Sequence, residues 1–258
     1  MKLHDMRQPG KVWLVGVGPG DPDLVTVKAA RALAEAQVWL IDDLVPATMQ
    51  RHARPGTAMI AVGKRGGHRS TSQASIDAQA LAHARAGRCV ARVKGGDPLM
   101  FGRGGEEVSF LRSHGIDVEV VNGISSGMAA AQALGIALTH RAHCHGVTFV
   151  TAHTCDDGDP AWHALVASGT TLVIYMGMRR IASIRDALLR AGMHPDMPAG
   201  VVMHASCAGE RHWTGTLSTL TGAAAAGLCS PSIILIGEVL KSVCSPIPHG
   251  GKGGARQW

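Results

Sequence analysis

The sequence predicts an α/β protein of two domains, and three observations predict it. Short apolar runs such as KVWLVGV (11–17) and TLVIY (171–175) are each closed by glycine-rich punctuation and followed by a segment of helical period. The first run, the helix-period segment after it and the next apolar run form a strand–helix–strand unit between Lys11 and Ile41, a length that implies a parallel pair. From Thr139 the pattern breaks at the polar stretch THRAHCHG before strands resume. The expected division is therefore an N-terminal α/β domain over 11–140, a C-terminal α/β domain over 141–244, and a Pro/Gly-rich, disordered tail over 245–258. No internal repeat is visible.

Residues 1–10 read as a loose lead-in. The strand Lys11 to Val17 breaks at Gly18-Pro19-Gly20-Asp21-Pro22. Leu24, Val27, Ala30, Leu33 and Ala34 give helical spacing from Leu24 to Gln37, and Val38 to Ile41 is a second strand ending at Asp42-Asp43. A dinucleotide fingerprint would need glycine at 16, 18 and 21; position 21 is Asp, and Asp21-Pro22 at the start of the helix would repel a pyrophosphate. Thr57 to Val62 is a third strand. The following GKRGGH is not a phosphate-binding loop of the magnesium type, because Arg65 stands where Ser or Thr would be, but three bases among glycines suit an anionic ligand. Ser72 to Gly87 is a helix.

The stretch Arg92 to Glu107, RVKGGDPLMFGRGGEE, concentrates the chemistry. The preceding RCVARV alternates polar and apolar residues like a short strand, which should end near Lys94. Gly95-Gly96-Asp97-Pro98 then turns the chain, and its glycines let backbone groups approach a ligand. Asp97 is placed to accept from hydroxyls or an ammonium. Arg103, Glu106 and Glu107 open a helix running to about His114, with acids in the first turn as the helix dipole favours. Val118 to Val121 is a strand, and NGISSG (122–127) leads into an alanine-rich helix, Met128 to Leu134. Several strand-end loops of one kind would gather on one sheet edge, where open α/β sheets bind ligands.

In the second half, Gly146 to Thr151, Thr171 to Tyr175, Ala199 to Met203, Gly215 to Leu217 and Ser232 to Ile236 read as strands, and Ile181 to Ala191 as a helix stopped by Gly192. His140, His143, Cys144 and His145 fall within six residues, but only His153 and Cys155 are near enough to complete a metal set, and at poor spacing. An inter-domain linker facing an acidic ligand fits the cluster better, and no metal is expected.

Composition narrows the classes. The chain has 258 residues and a net charge of +6, so a polyanion is a fitting partner. Its bases are scattered, and one Tyr with three Phe leaves little for base stacking, so nucleic acid is not expected. Six cysteines without a C-x-x-C pair, and a start lacking a secretory apolar core, point to free thiols in the cytoplasm. No apolar run approaches eighteen residues, so no membrane partner is expected.

VGVGPGDPDLVTVKA (15–29), GKRGG (63–67), RVKGGDPLMFGRGGEE (92–107), NGISSGMAAAQALGIALTHR (122–141), YMGM (175–178) and PSIILIGEV (231–239) resemble, in order and spacing, the motifs of the tetrapyrrole methylase family. The resemblance implies two α/β domains with the active site in the cleft between them, S-adenosyl-L-methionine as methyl donor, and a homodimer. The likeness is strongest to members that methylate uroporphyrinogen III twice, on rings A and B, to give precorrin-2; the alternative it implies is a later corrinoid substrate. Donor contacts carry over to Pro19, Gly95, Gly96, Asp97, Met100 through its backbone, Ser125, Ser126, Met176, Ala205 and Ser232. Arg103, Glu106 and Met176 match positions implicated in substrate handling, and Asp42 is a further polar candidate beside them. Lys64, Arg65, His68, Arg103, Arg141 and His145 are the bases available to the substrate's carboxylates. Three departures stand out: Asn122 replaces a Pro and is expected to loosen its loop, Ile41 replaces the His or Tyr before Asp42 and so removes a hydrogen-bonding neighbour, and HASCAGERH (204–212) fits the family pattern poorly. The motifs fill most of the chain, so a monofunctional methylase is expected.

Overall fold

In the computed structural model, residues 8–63, 72–152 and 158–244 are described. Lys64, Arg65 and His68, the His153 and Cys155 candidates, and the 245–258 tail lie outside the described residues. The chain forms two compact units: Met1–Ala130 together with His204–Arg211, and Ala131–Met203 together with His212–Trp258.

The first unit is built on a five-stranded sheet. Its elements are β1 (Val12–Gly16), α1 (Val27–Glu35), β2 (Val38–Ile41), β3 (Ala58–Ala61), α2 (Gln73–Arg85), β4 (Val90–Lys94), α3 (Gly104–Ser113), β5 (Val118–Val121) and α4 (Ser126–Ala133). The strand order is β3-β2-β4-β1-β5, and every pairing is parallel. Alternation along β1 sorts the two faces. Trp13 and Val15 pack with Ala29 and Leu33 of α1, whereas Val12 packs with Ile76 and Ala80 of α2 and Leu111 of α3. Helices thus cover both faces, as a parallel sheet requires.

The first helix is shorter than its apolar spacing predicts. Pro22–Leu24 is a separate 3-10 turn capped by Asp21, and α1 starts only after Thr26, whose hydroxyl accepts from the Ala29 N–H at 3.1 Å. The strand read from RCVARV ends at Lys94, as expected. All five residues of β4 are buried, including Arg92 and Lys94, because the face that a half-buried strand would turn to water is occupied by charged partners.

The second unit has the sheet order β6-β7-β10-β8-β9. Its elements are β6 (Val147–Thr151), α5 (Trp162–Ala167), β7 (Thr171–Tyr175), α6 (Ile181–Arg190), β8 (Pro198–Met203), β9 (Arg211–Thr216), α7 (Gly222–Ala225), β10 (Ser232–Ile236) and α8 (Lys241–Cys244). β6 runs parallel to β7, and β10 runs antiparallel to both β7 and β8. Leu172, Ile174, Val201 and Ile234 from three strands meet Ile184 and Leu188 of α6 in its core. β9 is twice the predicted length; its exposed start carries Arg211 and His212, so no apolar run marked it. The 139–146 stretch is a tight turn closed by a bridge between His140 and Cys144 rather than an open linker.

Candidate active site

In the first unit, β1 and β4 are neighbours, yet the chain leaves β1 for β2 and leaves β4 for β5, on opposite sides of the pair. Such a switch point opens a crevice at the C-terminal strand ends. Three loops meet there, backbone against backbone. Gly18 and Gly96 exchange N–H···O bonds at 3.2 and 2.7 Å. A Cβ on Gly16 would stand 2.6 Å from the Gly96 carbonyl oxygen, and one on Gly123 would stand 2.2 Å from it. Only glycine permits that approach. Ser125 and Ser126 border Gly96 from the loop after β5: a Cβ on Gly96 would lie 4.0 Å from the Ser125 Cα and 3.8 Å from the Ser126 nitrogen. Pro19, Gly95, Gly96, Asp97, Ser125 and Ser126 are therefore brought together by the fold.

Asp97 is the tie between these loops. Its Oδ1 accepts from the Leu99 N–H at 2.8 Å, and its Oδ2 accepts from Asn122 Nδ2 at 3.1 Å and from the Gly123 N–H at 3.2 Å. Three protein N–H groups thus fix the carboxylate and tie the loop after β4 to the loop after β5. Asn122 does the reverse of loosening its loop, because its side-chain amide is one of those three. The Met100 N–H closes the same turn on the Asp97 carbonyl at 3.2 Å.

Arg103 has a φ of 58° and precedes α3 without a side-chain cap. That left-handed backbone directs its guanidinium along the first turn, where Nε and Nη2 donate to Glu106 at 3.1 and 2.6 Å. The pair is exposed. The Arg103 hydrogen bond holds the Glu106 carboxyl below its usual range, which makes it a weak proton acceptor.

Asp42 lies at the end of β2 and leads into a buried charge cluster that sequence reasoning did not find. Arg92 Nη2 donates to Asp42 Oδ2 at 3.1 Å, and the Asp43 N–H donates to Oδ1 at 3.1 Å, so Asp42 has its partners despite Ile41. Arg92 Nε donates to Glu107 Oε1 at 3.0 Å, Lys94 Nζ to Glu107 Oε2 at 3.0 Å, and Gln73 Nε2 to Glu107 Oε1 at 2.9 Å. Arg92, Lys94 and Glu107 are each at most 4% exposed. Burial, then the Arg92 charge, push the Lys94 ammonium below its usual range against the pull of Glu107. Asp77 sits beside this cluster with Gln73 as partner, and burial raises its carboxyl above the usual range. The available signal was the charge of Arg92, Lys94 and Glu107 at positions where a β-strand and a helix face inward.

Ala205 is buried within His204–Arg211, the segment that joins the first unit. In the second unit, Met176 follows β7 with a φ of 55° and a half-exposed side chain. Ser232 opens β10 opposite Met203, and its hydroxyl donates to the Cys229 carbonyl. Continuing the β7–β10 register two residues past Ile174 and Ile234 sets Met176 against Ser232 at one sheet edge. Arg141 is exposed, the His140 and His143 rings stack at 4.6 Å, and the Cys144 thiol meets Thr171 Oγ1 at 3.1 Å. Among the described residues, no three His, Cys, Asp or Glu side chains converge as metal ligands, and no helix is long and apolar enough to cross a membrane.

A parallel sheet with a three-loop glycine crevice and the GGDP turn defines a class, and the comparison with known proteins gives it a name. The chain belongs to the tetrapyrrole (corrin/porphyrin) methylases, whose family model matches residues 11–221. It is 52% identical over 237 residues to the uroporphyrinogen-III C-methyltransferase of Pseudomonas aeruginosa, covering 92% of this chain and 96% of that one. The solved uroporphyrin-III C-methyl transferase of Thermus thermophilus, complexed with S-adenyl homocysteine, superposes with a TM-score of 0.78 at 41% identity, covering 90% of this chain and 100% of that one. A cobalt precorrin-4 methyltransferase matches with a TM-score of 0.80 at 29% identity, over 90% of this chain and 96% of that one.

Proposed function

We propose that this chain is an S-adenosyl-L-methionine-dependent C-methyltransferase that methylates uroporphyrinogen III twice to give precorrin-2. The observation that carries the proposal is the 52% identity to the Pseudomonas aeruginosa enzyme along nearly the full length of both chains. In each transfer a nucleophilic pyrrole carbon takes the methyl group, the sulfonium becomes a neutral thioether, and a proton leaves the substrate. The main contribution asked of the protein is alignment of carbon, methyl and sulfur.

In this reading Pro19, Gly95, Gly96, Asp97, Met100, Ser125, Ser126 and Ala205 of the first unit, with Met176 and Ser232 of the second, contact the donor. Arg103 remains protonated and anchors a substrate carboxylate through its planar fork. Glu106 orients that fork rather than accepting the proton, since Arg103 holds it ionised. Asp42, itself bonded to Arg92, and the substrate's own carboxylates are the remaining acceptors for the proton. The protein acts as a cytoplasmic homodimer, without a resident metal, nucleic acid or membrane. Light scattering on the purified protein tests the dimer.

Anaerobic incubation of the pure protein with uroporphyrinogen III and S-adenosyl-L-methionine, followed by mass spectrometry, tests the activity. Gain of two methyl groups is expected. Intact uroporphyrinogen III, with methylation of a later corrinoid in a parallel reaction, would replace this reading by the alternative within the family.

A further inference from the structure

The segment His204–Arg211, which reads in sequence as a poor fit to the family motifs, has a geometry that suggests a use for it. His204 and Ser206 hold φ values of 53° and 60°, a left-handed conformation unusual for residues with side chains. The turn is fixed from within. The Cys207 N–H donates to the His204 carbonyl at 2.9 Å, the Glu210 N–H to the Cys207 carbonyl at 3.0 Å, and the Ser206 N–H to Glu210 Oε2 at 2.6 Å. What this strained turn presents is a pair of side chains aimed at the loop after β1. Ser206 Oγ accepts from the Asp21 N–H at 3.1 Å, and the Cys207 thiol donates to the Pro19 carbonyl at 3.5 Å. Between those two contacts lies Gly20, with a φ of 159°. A Cβ on Gly20 would stand 2.1 Å from Cys207 Sγ, so the thiol rests directly on the glycine.

Three consecutive loop residues are thus each held by one of two neighbouring side chains. The loop itself, with glycine at 18 and 20, has wide conformational freedom when nothing restrains it. Burial, and then the Glu210 carboxylate, push the Cys207 thiol above its usual range, so it stays a protonated donor at neutral pH.

We propose that His204–Arg211 is a strap that holds Pro19-Gly20-Asp21 in its binding shape, with Ser206 and Cys207 as positioning residues for the methyl donor. The inference rests on reading the β1 loop as part of the donor site, and it assigns a role to residues outside the family motifs.

Titration calorimetry with S-adenosyl-L-homocysteine on the full chain tests it, using Ser206→Ala, Cys207→Ala and the double variant. Each hydrogen bond of this kind is worth roughly a threefold change in affinity, so the double variant should bind about tenfold more weakly. In turnover the loss should fall on KM for the donor and not on KM for the tetrapyrrole. Cys207→Ser keeps a donor for the Pro19 carbonyl and should recover most of the affinity lost in Cys207→Ala. Hydrogen exchange should show the Asp21 amide exposed in Ser206→Ala. A double variant that binds within twofold of wild type overturns the strap, as does one that no longer folds, since the segment would then be a part of the fold and not a positioning device. A wild-type protein that does not bind S-adenosyl-L-homocysteine overturns the donor-site reading instead, while the Asp21 exchange still reports on the strap contact.

Discussion

Glu107→Gln should be the most damaging conservative change in the first unit. Glu107 is 2% exposed and receives Arg92, Lys94 and Gln73 at 2.9–3.0 Å. The glutamine isostere keeps the volume and one oxygen but removes the only carboxylate that Lys94 contacts among the described residues. Arg92 keeps Asp42 and the carbonyls of Leu40 and Val93, so the orphan is Lys94. Removing one partner of a buried ion pair costs about 3–5 kcal/mol, and the retained oxygen puts this case at the lower end, about 3 kcal/mol. For a chain of this size each kcal/mol lowers Tm by roughly 2–4 °C, so scanning calorimetry should show a fall of about 6–12 °C. The loss must also depend on pH in one direction. Burial already depresses the Lys94 ammonium, and without Glu107 it is depressed further. The unfolded chain then binds more protons than the folded one from that lowered value up to about pH 10.4, so the variant regains stability as pH rises through the interval. Adding Lys94→Met removes the stranded charge and should recover most of the loss at neutral pH. A Glu107→Gln protein within 1 kcal/mol (an order-of-magnitude threshold) of wild type, or a double variant no more stable than the single, would refute the charge accounting.

Three further outcomes are expected. Arg103→Lys keeps the charge but loses the fork that grips Glu106; turnover should fall at least roughly tenfold while S-adenosyl-L-homocysteine affinity persists, and normal turnover would remove the fork from the mechanism. Asp97→Ala strips the partner from three N–H groups and should weaken S-adenosyl-L-homocysteine binding by about tenfold or more, with unchanged calorimetric affinity counting against the site. Glu119 is held at about 2, first by the Lys11 hydrogen bond and then by Lys28. Its contribution is present above the ordinary glutamate value of about 4.3 and is lost as pH falls toward 2. Glu119→Gln should therefore lower stability at neutral pH, by about 0.2–1 kcal/mol per surface pair, and flatten the acid limb of an unfolding profile. An unchanged acid limb would show that the pairs are not formed in solution.

Local pattern determined most of this protein. The runs TLVIY (171–175) and SIILI (232–236) became strands over the same residues, because a nearly continuous apolar run between turn residues has few other stable outcomes. The glycine motifs marked the crevice, because close backbone contact excludes every side chain and so leaves its mark at single positions. Tertiary structure alone decided the rest. RCVARV reads as a strand in sequence, but the burial of Arg92 and Lys94 does not, because their partner Glu107 lies more than ten residues away on α3 and joins them only when that helix packs on the sheet. Asn122 looked like a loosened loop until Asp97, from another strand end, came within hydrogen-bonding distance. HASCAGERH carried no readable pattern, because its partners Pro19 and Asp21 are nearly two hundred residues away in the chain. Periodicity and turn chemistry are properties of neighbours along the chain, whereas the neutralisation of a buried charge depends on which distant residue the fold brings beside it.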